Sequence, residues 1–336
     1  MFVSVIDCGT TNSRVYILDE RGAIVHQQKR KIGVRDTAIT GSRDALRKGL
    51  AAIFEDLFKE TGIGEKDINY CVTGGMITSE IGLLEIPHLR APVSVDQLAA
   101  NVRIVSDQSV LPLDFPFIFV PGVKNDYPRT GTLESIRFMD FMRGEEIQCF
   151  GVLRNYSEIR PPYTIIVLSS HTKYIHVDAQ ERIAGSITTL SGQIYEALIS
   201  STSIGKSIRT DSPPPSGDAA QDSLETAAAV VRDAGFLRAL LMPRFMEVLL
   251  DTTLEQRKLF IEGAIIAEDL TAFKDYQHLF GTSGQPVIVI GDPGRCKIFQ
   301  RMATILDIEV PDFTPITGET EIDDLHINGA LEIAAK

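Results

Sequence analysis

Apolar residues cluster in three short runs at the start of the chain, "FVSVID" (2–7), "RVYILDE" (14–20) and "IVHQQKRKIG" (24–33). The breaks between them carry Gly, Thr and Asn in "DCGTTNSR" (7–14) and Gly in "ERGA" (20–23), so the pattern predicts three strands in an antiparallel meander. The period then changes: Ala45, Leu46, Gly49, Leu50, Ile53, Phe54, Leu57 and Phe58 recur at helical spacing until "TGIG" (61–64) ends the helix. "INYCVTGG" (68–75) is apolar without alternation, as a strand buried on both faces of a parallel sheet would be. The predicted order is β, β, β, α, β.

The same order returns later. "YTIIVLSS" (163–170), "KYIHVD" (173–178) and "IAGSITTL" (183–190) predict three strands, and "SGQIYEALISS" (191–201) starts a helix. Two further helical stretches lead to the buried strand "PVIVIGD" (286–292), the helix "GRCKIFQRMATIL" (294–306) and a last strand "IEVPDF" (308–313). The recurrence predicts an α/β fold of two domains, 1–112 and 113–320, related by internal duplication and facing each other across a cleft, where ligands of such folds sit. "TDSPPPSGDAAQDS" (210–223) reads as a surface loop, and Leu325, Ile327, Ala330, Leu331 and Ala334 as a C-terminal helix, 321–336, that packs back on the first domain.

Composition narrows the function classes. A net charge of −12 over 336 residues speaks against a nucleic-acid groove or an anionic membrane surface, both of which need clustered Lys and Arg. No apolar run reaches the roughly 18 residues of a membrane span, and the acid in "MFVSVID" comes too early for a secretory leader, so a cytoplasmic location is expected. Cys8, Cys71, Cys149 and Cys296 stand far apart, without metal-ligand spacing, and are expected to be buried as small apolar groups.

The first hairpin carries the first chemistry. Gly9 allows close approach of a ligand to the backbone, Thr10 and Thr11 offer hydroxyl and amide donors, and successive turn amides make an anion-binding concavity. Asp7 at the strand end would repel a phosphate unless a cation lay between, a place suited to Mg²⁺ held mostly through water. An ordinary hairpin turn accounts for the same residues. Neither GxxxxGK[ST] nor GxGxxG after a strand is present. Asp-x-Gly-Thr-Thr in the first hairpin of a duplicated β, β, β, α, β domain resembles the actin, sugar kinase and chaperone superfamily, which implies two ribonuclease H-like (actin-like ATPase) domains.

Four stretches sharpen the likeness. "DCGTTNSR" resembles the DWGTTNxR signature of the 2-keto-3-deoxygalactonate kinase family, "GGMITSEIGLLEIPHL" (74–89) its GMIGSRxGWxExPY stretch, and "FMRGEEIQCFGVL" (141–153) its MRGEExQxxG block. "LSSHTKYIHV" (168–177) is similar to a shortened LPGTHSKW segment, and the blocks follow in family order along most of the chain. The resemblance implies transfer of the ATP γ-phosphoryl group to a hydroxyl of a 2-keto-3-deoxy sugar acid, most simply 2-keto-3-deoxygalactonate. By likeness to the GDQ block of glycerol and pentulose kinases, Glu145 is the implied catalytic base and Glu146 the alternate, although acids here would also suit a solvated helix start. Phosphate contacts are expected from Gly9, Thr10 and Thr11 and from Ser169, Ser170, Thr172 and Lys173 of the second hairpin, with Asp7 as the Mg²⁺ ligand. Gly291 and Gly294 in "VIVIGDPGR" (287–295) are the expected nucleotide contacts, and Asn12, Arg14, Gly75, Met76 and Arg143 the expected sugar-acid contacts.

The sequence also departs from the family pattern. Cys8 replaces a Trp, "SSHTKY" lacks the family's hairpin glycine, Glu80 stands where an Arg is usual, and Leu83 replaces the Trp of GW. Loss of the glycine restricts the backbone's approach to phosphate, and Glu80 places an acid near an acidic substrate, so a different acceptor, or a binding protein that keeps the fold without the reaction, stays open.

Overall fold

The opening meander forms because each run places its apolar residues on a common sheet. In the computed structural model, which describes residues 1–127 and 133–336, β1 (Phe2–Cys8) pairs antiparallel with β2 (Ser13–Leu18), and β2 with β3 (Ile24–Arg30). β4 (Ile68–Gly75) lies parallel to β1, bringing Asp7 opposite Gly74 and Cys8 opposite Gly75. With β6 (Arg103–Val105) and β7 (Phe117–Phe119) the sheet runs β3-β2-β1-β4-β7-β6, while β5 (Leu89–Arg90), β8 (Val123–Lys124) and β9 (Phe141–Met142) make a small second sheet.

Two helices follow β3, α1 (Val34–Thr40) and α2 (Asp44–Thr61). The apolar stripe of α2, Leu46, Leu50, Ile53, Phe54 and Leu57, is fully buried against Ile6, Val15 and Ile17 of the sheet. Each such side chain contributes on the order of 1.5–3 kcal/mol, so the stripe secures the sheet whose strand ends bear the site. α2 stops at Gly62 (φ +72°), as "TGIG" predicted, because its left-handed backbone favours glycine. α1 was not expected. Its first turn is built on the hairpin, with the Val34 and Arg35 amides donating to the Gly9 and Thr10 carbonyls.

A separate five-stranded sheet contains β10 (Tyr163–Leu168), β11 (Thr172–Val177), β12 (Ile183–Thr189), β13 (Val287–Gly291) and β14 (Thr314–Ile316) in the order β12-β11-β10-β13-β14. β13 lies parallel to both β10 and β14. That order matches β3-β2-β1-β4-β7, so the duplication is in topology, and the chain has the α/β fold of actin-like ATPases and sugar kinases. The other helices are α3 (Val95–Ala99), α4 (Glu145–Asn155), α5 (Ser191–Ser201), α6 (Gly205–Ile208), α7 (Asp218–Ala234), α8 (Phe236–Leu249), α9 (Leu254–Phe280), α10 (Pro293–Ile305) and α11 (Glu319–Ala334). α9 begins at a Thr253–Gln256 capping box and buries Leu259, Ile266, Leu270 and Phe273 in the core shared with Ile166, Leu168 and Val289.

The chain divides into two compact units, one of residues 1–161, 177–185 and 320–336 and the other of 162–176 and 186–319. A boundary at residue 112 was expected; it falls inside the first unit because β7 completes the first sheet and α4 follows in the same unit. α11 also belongs to the first unit and crosses α4 backbone to backbone. A Cβ on Gly329 would stand 1.9 Å from the Ile147 carbonyl oxygen, and one on Gly151 1.9 Å from that of Leu325.

Two smaller expectations fail for local reasons. The loop 210–223 is shorter than its composition suggested, since α7 already starts at Asp218, after Gly217 with φ +61°. The last strand is not 308–313 but Thr314–Ile316, because the segment before it turns at Asp307 and Asp312, both with positive φ. All four cysteines are free and buried, and burial pushes the Cys8 thiol up to about 12. Among the described residues no helix is long and apolar enough to cross a membrane.

Candidate active site

In the first unit, chemistry collects at the C-terminal ends of the parallel strands β1 and β4, the end at which open α/β sheets bind ligands. Asp7 is half-buried there, flanked by Arg14 on β2 and Gly74 on β4. Gly74 and Gly75 have to be glycines. A Cβ on Gly74 would meet Ile147 Cδ1 at 2.3 Å, and Gly75 has φ +81° with the Cys8 carbonyl oxygen 2.7 Å from where its Cβ would be. That close approach brings β4 against the start of α4, where Gly144 (φ +105°) would place a Cβ 3.4 Å from the Gly75 Cα. Asp7, Gly75, Gly144 and the first turn of α4 therefore belong to one locus.

The two glutamates that follow Gly144 have opposite environments. Glu145 is half-exposed at the first position of α4, while Glu146 is fully buried and turns back so that both carboxylate oxygens accept from the Gly144 amide at 2.8 Å. Burial pushes the Glu146 carboxyl up to about 8; the Gly144 hydrogen bond opposes the shift and the charge of Glu145 adds to it. Arg143 does not reach outward: it donates to Thr78 Oγ1 at 2.8 Å and to the Ile86 carbonyl at 2.7 Å. It fastens the loop after β4 to the start of α4, and burial lowers its pKa although Glu146, Glu80 and Glu85 oppose that.

Arg14 also has a protein partner, Asp323 of α11, at 3.2 Å. Asp323 is buried, and with Asp7 it raises the Tyr16 hydroxyl's pKa, where burial is the largest cause. Met76 packs against the first core instead of presenting its side chain to a ligand. Leu83, in place of the family Trp, is 5% exposed and lies in that same core, so this departure is a packing change. Glu80 is exposed, and its backbone carbonyl accepts from Arg43.

The second unit holds a cavity of ≈ 210 Å³ lined by Ser169, Ser170, Ser191, Gly192, Tyr195, Glu262, Ile265, Ile266 and Arg295. Ser169 and Ser170 form the exposed tip of the β10–β11 hairpin, which docks on the start of α5 through the Gln193 amide and the Ser170 carbonyl, 2.9 Å apart. A Cβ on Gly192 would be 2.3 Å from the Ser169 carbonyl oxygen, so only a glycine lets the start of α5 rest against this hairpin. Arg295 donates to that carbonyl at 2.8 Å. Glu262 accepts from the Tyr195 hydroxyl, and burial raises the Glu262 carboxyl's pKa while Lys258 and Arg295 pull it down.

The chain resembles known proteins in sequence and in fold. The family model described as 2-keto-3-deoxy-galactonokinase matches residues 7–318. The chain belongs to that family. It is 22% identical over 207 residues to "Probable 2-dehydro-3-deoxygalactonokinase DgoK1" of Rhizobium meliloti (strain 1021), covering 62% of this chain and 59% of the relative, so the match spans under two thirds of that protein's length. A crystal structure from Sinorhizobium meliloti, provisionally described as a 2-dehydro-3-deoxygalactonokinase, superposes with a TM-score of 0.74 at 17% identity, over 99% of this chain and 95% of that one. A reductive activator for a corrinoid, iron-sulfur protein has a TM-score of 0.51 at 15% identity, covering 100% of this chain and 62% of the other. Both structures speak to the fold alone.

Of the residues the family likeness pointed to, Asp7, Gly75 and Glu145 come together at the strand ends of the first unit, with Gly9, Thr10, Thr11 and Asn12 on the adjoining hairpin turn. Ser169 and Ser170 line the cavity of the second unit. Thr172 and Lys173 do not. They are 0% and 4% exposed: as neighbours on β11 they point to opposite faces, and both faces are covered, Thr172 bonding to Asp269 of α9 and Lys173 to Thr188 of β12. Gly291 is buried beside Leu168 within the sheet, and Gly294 donates its amide to the Asp292 cap of α10; the nearby side chain that lines the cavity is Arg295. Sequence reasoning missed Asp323, Glu262, Tyr195, Arg295 and Asp269. Of these, only Arg295 stood inside a stretch from which candidate site residues were drawn, "VIVIGDPGR".

Proposed function

We propose that this chain transfers the γ-phosphoryl group of ATP to a hydroxyl of 2-keto-3-deoxygalactonate, as a cytoplasmic enzyme of sugar-acid catabolism. The observation that carries the reading is the meeting of Asp7, Gly75, Gly144 and Glu145 at the strand ends of a chain that belongs to the 2-keto-3-deoxygalactonokinase family. Four free, buried cysteines suit a reducing compartment.

Glu145 is the proposed base. It takes the proton of the acceptor hydroxyl as that oxygen attacks the γ-phosphorus, and the bond to the bridging oxygen breaks to release ADP. Its half-exposed place at the start of α4 favours it over Glu146, which is buried and bonded back to its own turn. Asn12, exposed on the first hairpin, and Arg14, beside Asp7, are the proposed acceptor contacts, and Gly9, Thr10 and Thr11 the proposed phosphate contacts. The nucleotide is assigned to the cavity of the second unit, with hairpin Ser169 and Ser170 at its phosphate end and Glu262 and Arg295 as its polar side chains.

Among the described residues no group of three His, Cys, Asp or Glu side chains makes a metal cage. Mg²⁺ keeps several waters and needs only one or two carboxylates plus phosphate oxygens, so Asp7, half-buried at the end of β1, is the proposed ligand. When bound, the ion would neutralise charge on the transferred phosphate. The test is ADP release from Mg-ATP by the purified protein over a panel of 2-keto-3-deoxy sugar acids, aldonates, ketoses and polyols, with a no-acceptor control. Turnover dependent on 2-keto-3-deoxygalactonate supports the reading; turnover with another acceptor only, or with none, refutes it.

A further inference from the structure

Asp269 on α9 is a buried acid for which the family likeness supplies no role. It is 3% exposed, yet its two carboxylate oxygens collect three hydroxyl donors from two stretches of the second unit, the start of β11 and the β12–α5 junction. Thr172, at the start of β11, donates to Oδ2 at 2.9 Å; Thr189, at the end of β12, donates to Oδ1 at 2.5 Å, and Ser191, at the start of α5, donates to Oδ1 as well. The Tyr174 hydroxyl adds a bond to the Asp269 backbone carbonyl at 2.8 Å. Burial raises the Asp269 carboxyl's pKa, and the Ser191, Thr189 and Thr172 hydroxyls oppose the rise.

The segments so joined are the walls of the cavity at its hairpin end. Thr172 directly follows the Ser169–His171 turn, and Ser191 and Gly192 line the cavity opposite that turn. Because Gly192 has no side chain, the hairpin backbone rests on the start of α5, and the Gln193 amide closes the contact on the Ser170 carbonyl. Strand pairing links β11 to β10 and β12, but it does not hold the start of α5 against the hairpin turn. What ties both to one rigid element is the carboxylate on the 27-residue α9. A buried carboxylate is a strong acceptor, and its loss leaves several donors unsatisfied together, which makes it a stiff anchor.

We propose that Asp269 is a positioning residue for the phosphate end of the nucleotide: it pins the β10–β11 hairpin and the start of α5 at the separation at which their backbone groups receive phosphate. The inference rests on the assignment of the nucleotide to this cavity. It has a directional consequence. The Ser191 hydroxyl is taken up by Asp269 and Thr189, so donors to phosphate come from hairpin amides and Arg295.

The test is calorimetric titration, without acceptor, of Mg-ATP and separately of adenosine into the full chain and into Asp269→Asn and Thr189→Val. Both substitutions keep side-chain volume; the second removes one donor and leaves the carboxylate, and so serves if Asp269→Asn does not fold. Mg-ATP affinity is expected to fall tenfold or more in Asp269→Asn and at least threefold in Thr189→Val, with adenosine affinity held within twofold. Equal weakening of both ligands would mean a merely structural role, and unchanged Mg-ATP affinity in both variants would remove the role altogether; either overturns the inference. An unsubstituted chain that binds no Mg-ATP overturns the inference together with the cavity assignment. A chain that binds it but phosphorylates no sugar acid overturns the proposed reaction alone.

Discussion

Replacing Glu146 by Gln is expected to stabilise the protein, and increasingly so as pH rises. Glu146 is fully buried and its carboxyl is pushed from an ordinary 4.5 up to about 8, so at neutral pH it is protonated when folded and ionised when unfolded. Between those two values the folded state holds the extra proton. Stability from this group is complete below the unfolded pKa and declines as pH rises toward the folded one. One proton corresponds to about 1.4 kcal/mol per pH unit, which makes the cost of protonation at pH 7 about 3 kcal/mol. Gln has the shape of the protonated acid, keeps one acceptor for the Gly144 amide and carries no such cost. Urea unfolding of both proteins at pH 5.5, 7.0 and 8.5 measures the difference. It should be about 1.4 kcal/mol at pH 5.5, reach about 3 kcal/mol at pH 7 and level off above 8. A difference that stays constant with pH, or a variant less stable than the parent at every pH, would refute the reasoning, because it would mean that Glu146 is ionised in the folded protein and held by its surroundings.

Glu145→Gln should lower kcat by roughly 10²–10⁴-fold, the usual contribution of a general base, while Mg-ATP affinity measured by calorimetry stays within twofold; a kcat within a few fold of the parent would remove Glu145 from the role. Gly329→Ala should cost several kcal/mol in urea unfolding, of the order of the severe overpacking changes, since its Cβ would stand 1.9 Å from the Ile147 carbonyl oxygen and the clash is with backbone. Unfolding midpoints equal to the parent's would show that α4 and α11 separate without cost.

Much of the architecture was legible along the chain because it follows from local periodicity. The apolar stripe of α2, the unalternating β4 and the three-strand opening depend on which residues recur at intervals of 2 or 3.6, and the stripe predicted at Leu46, Leu50, Ile53, Phe54 and Leu57 is the one the core buries. Asp7, Gly9 and Glu145 were equally accessible, since they stand inside contiguous motifs of a recognisable family. Thr172 and Lys173 misled for the converse reason. In the motif they adjoin the cavity residues, but both faces of β11 are covered, so both side chains are buried, and the motif does not encode what packs over a strand.

The sequence by itself therefore determined the element order, its repetition, the family and the loops that carry the first candidate residues, because each of these lies within a short continuous segment. Tertiary structure alone decided the rest. Arg14 meets Asp323 across 309 residues and Thr172 meets Asp269 across 97, and such pairs determine which acid an arginine faces and which hydroxyl is already spent. Burial likewise separates Glu145 from Glu146, neighbours of identical chemistry. One is half in solvent and the other has none, and the free energy of ionisation depends on that surrounding dielectric, which the packing of distant segments creates.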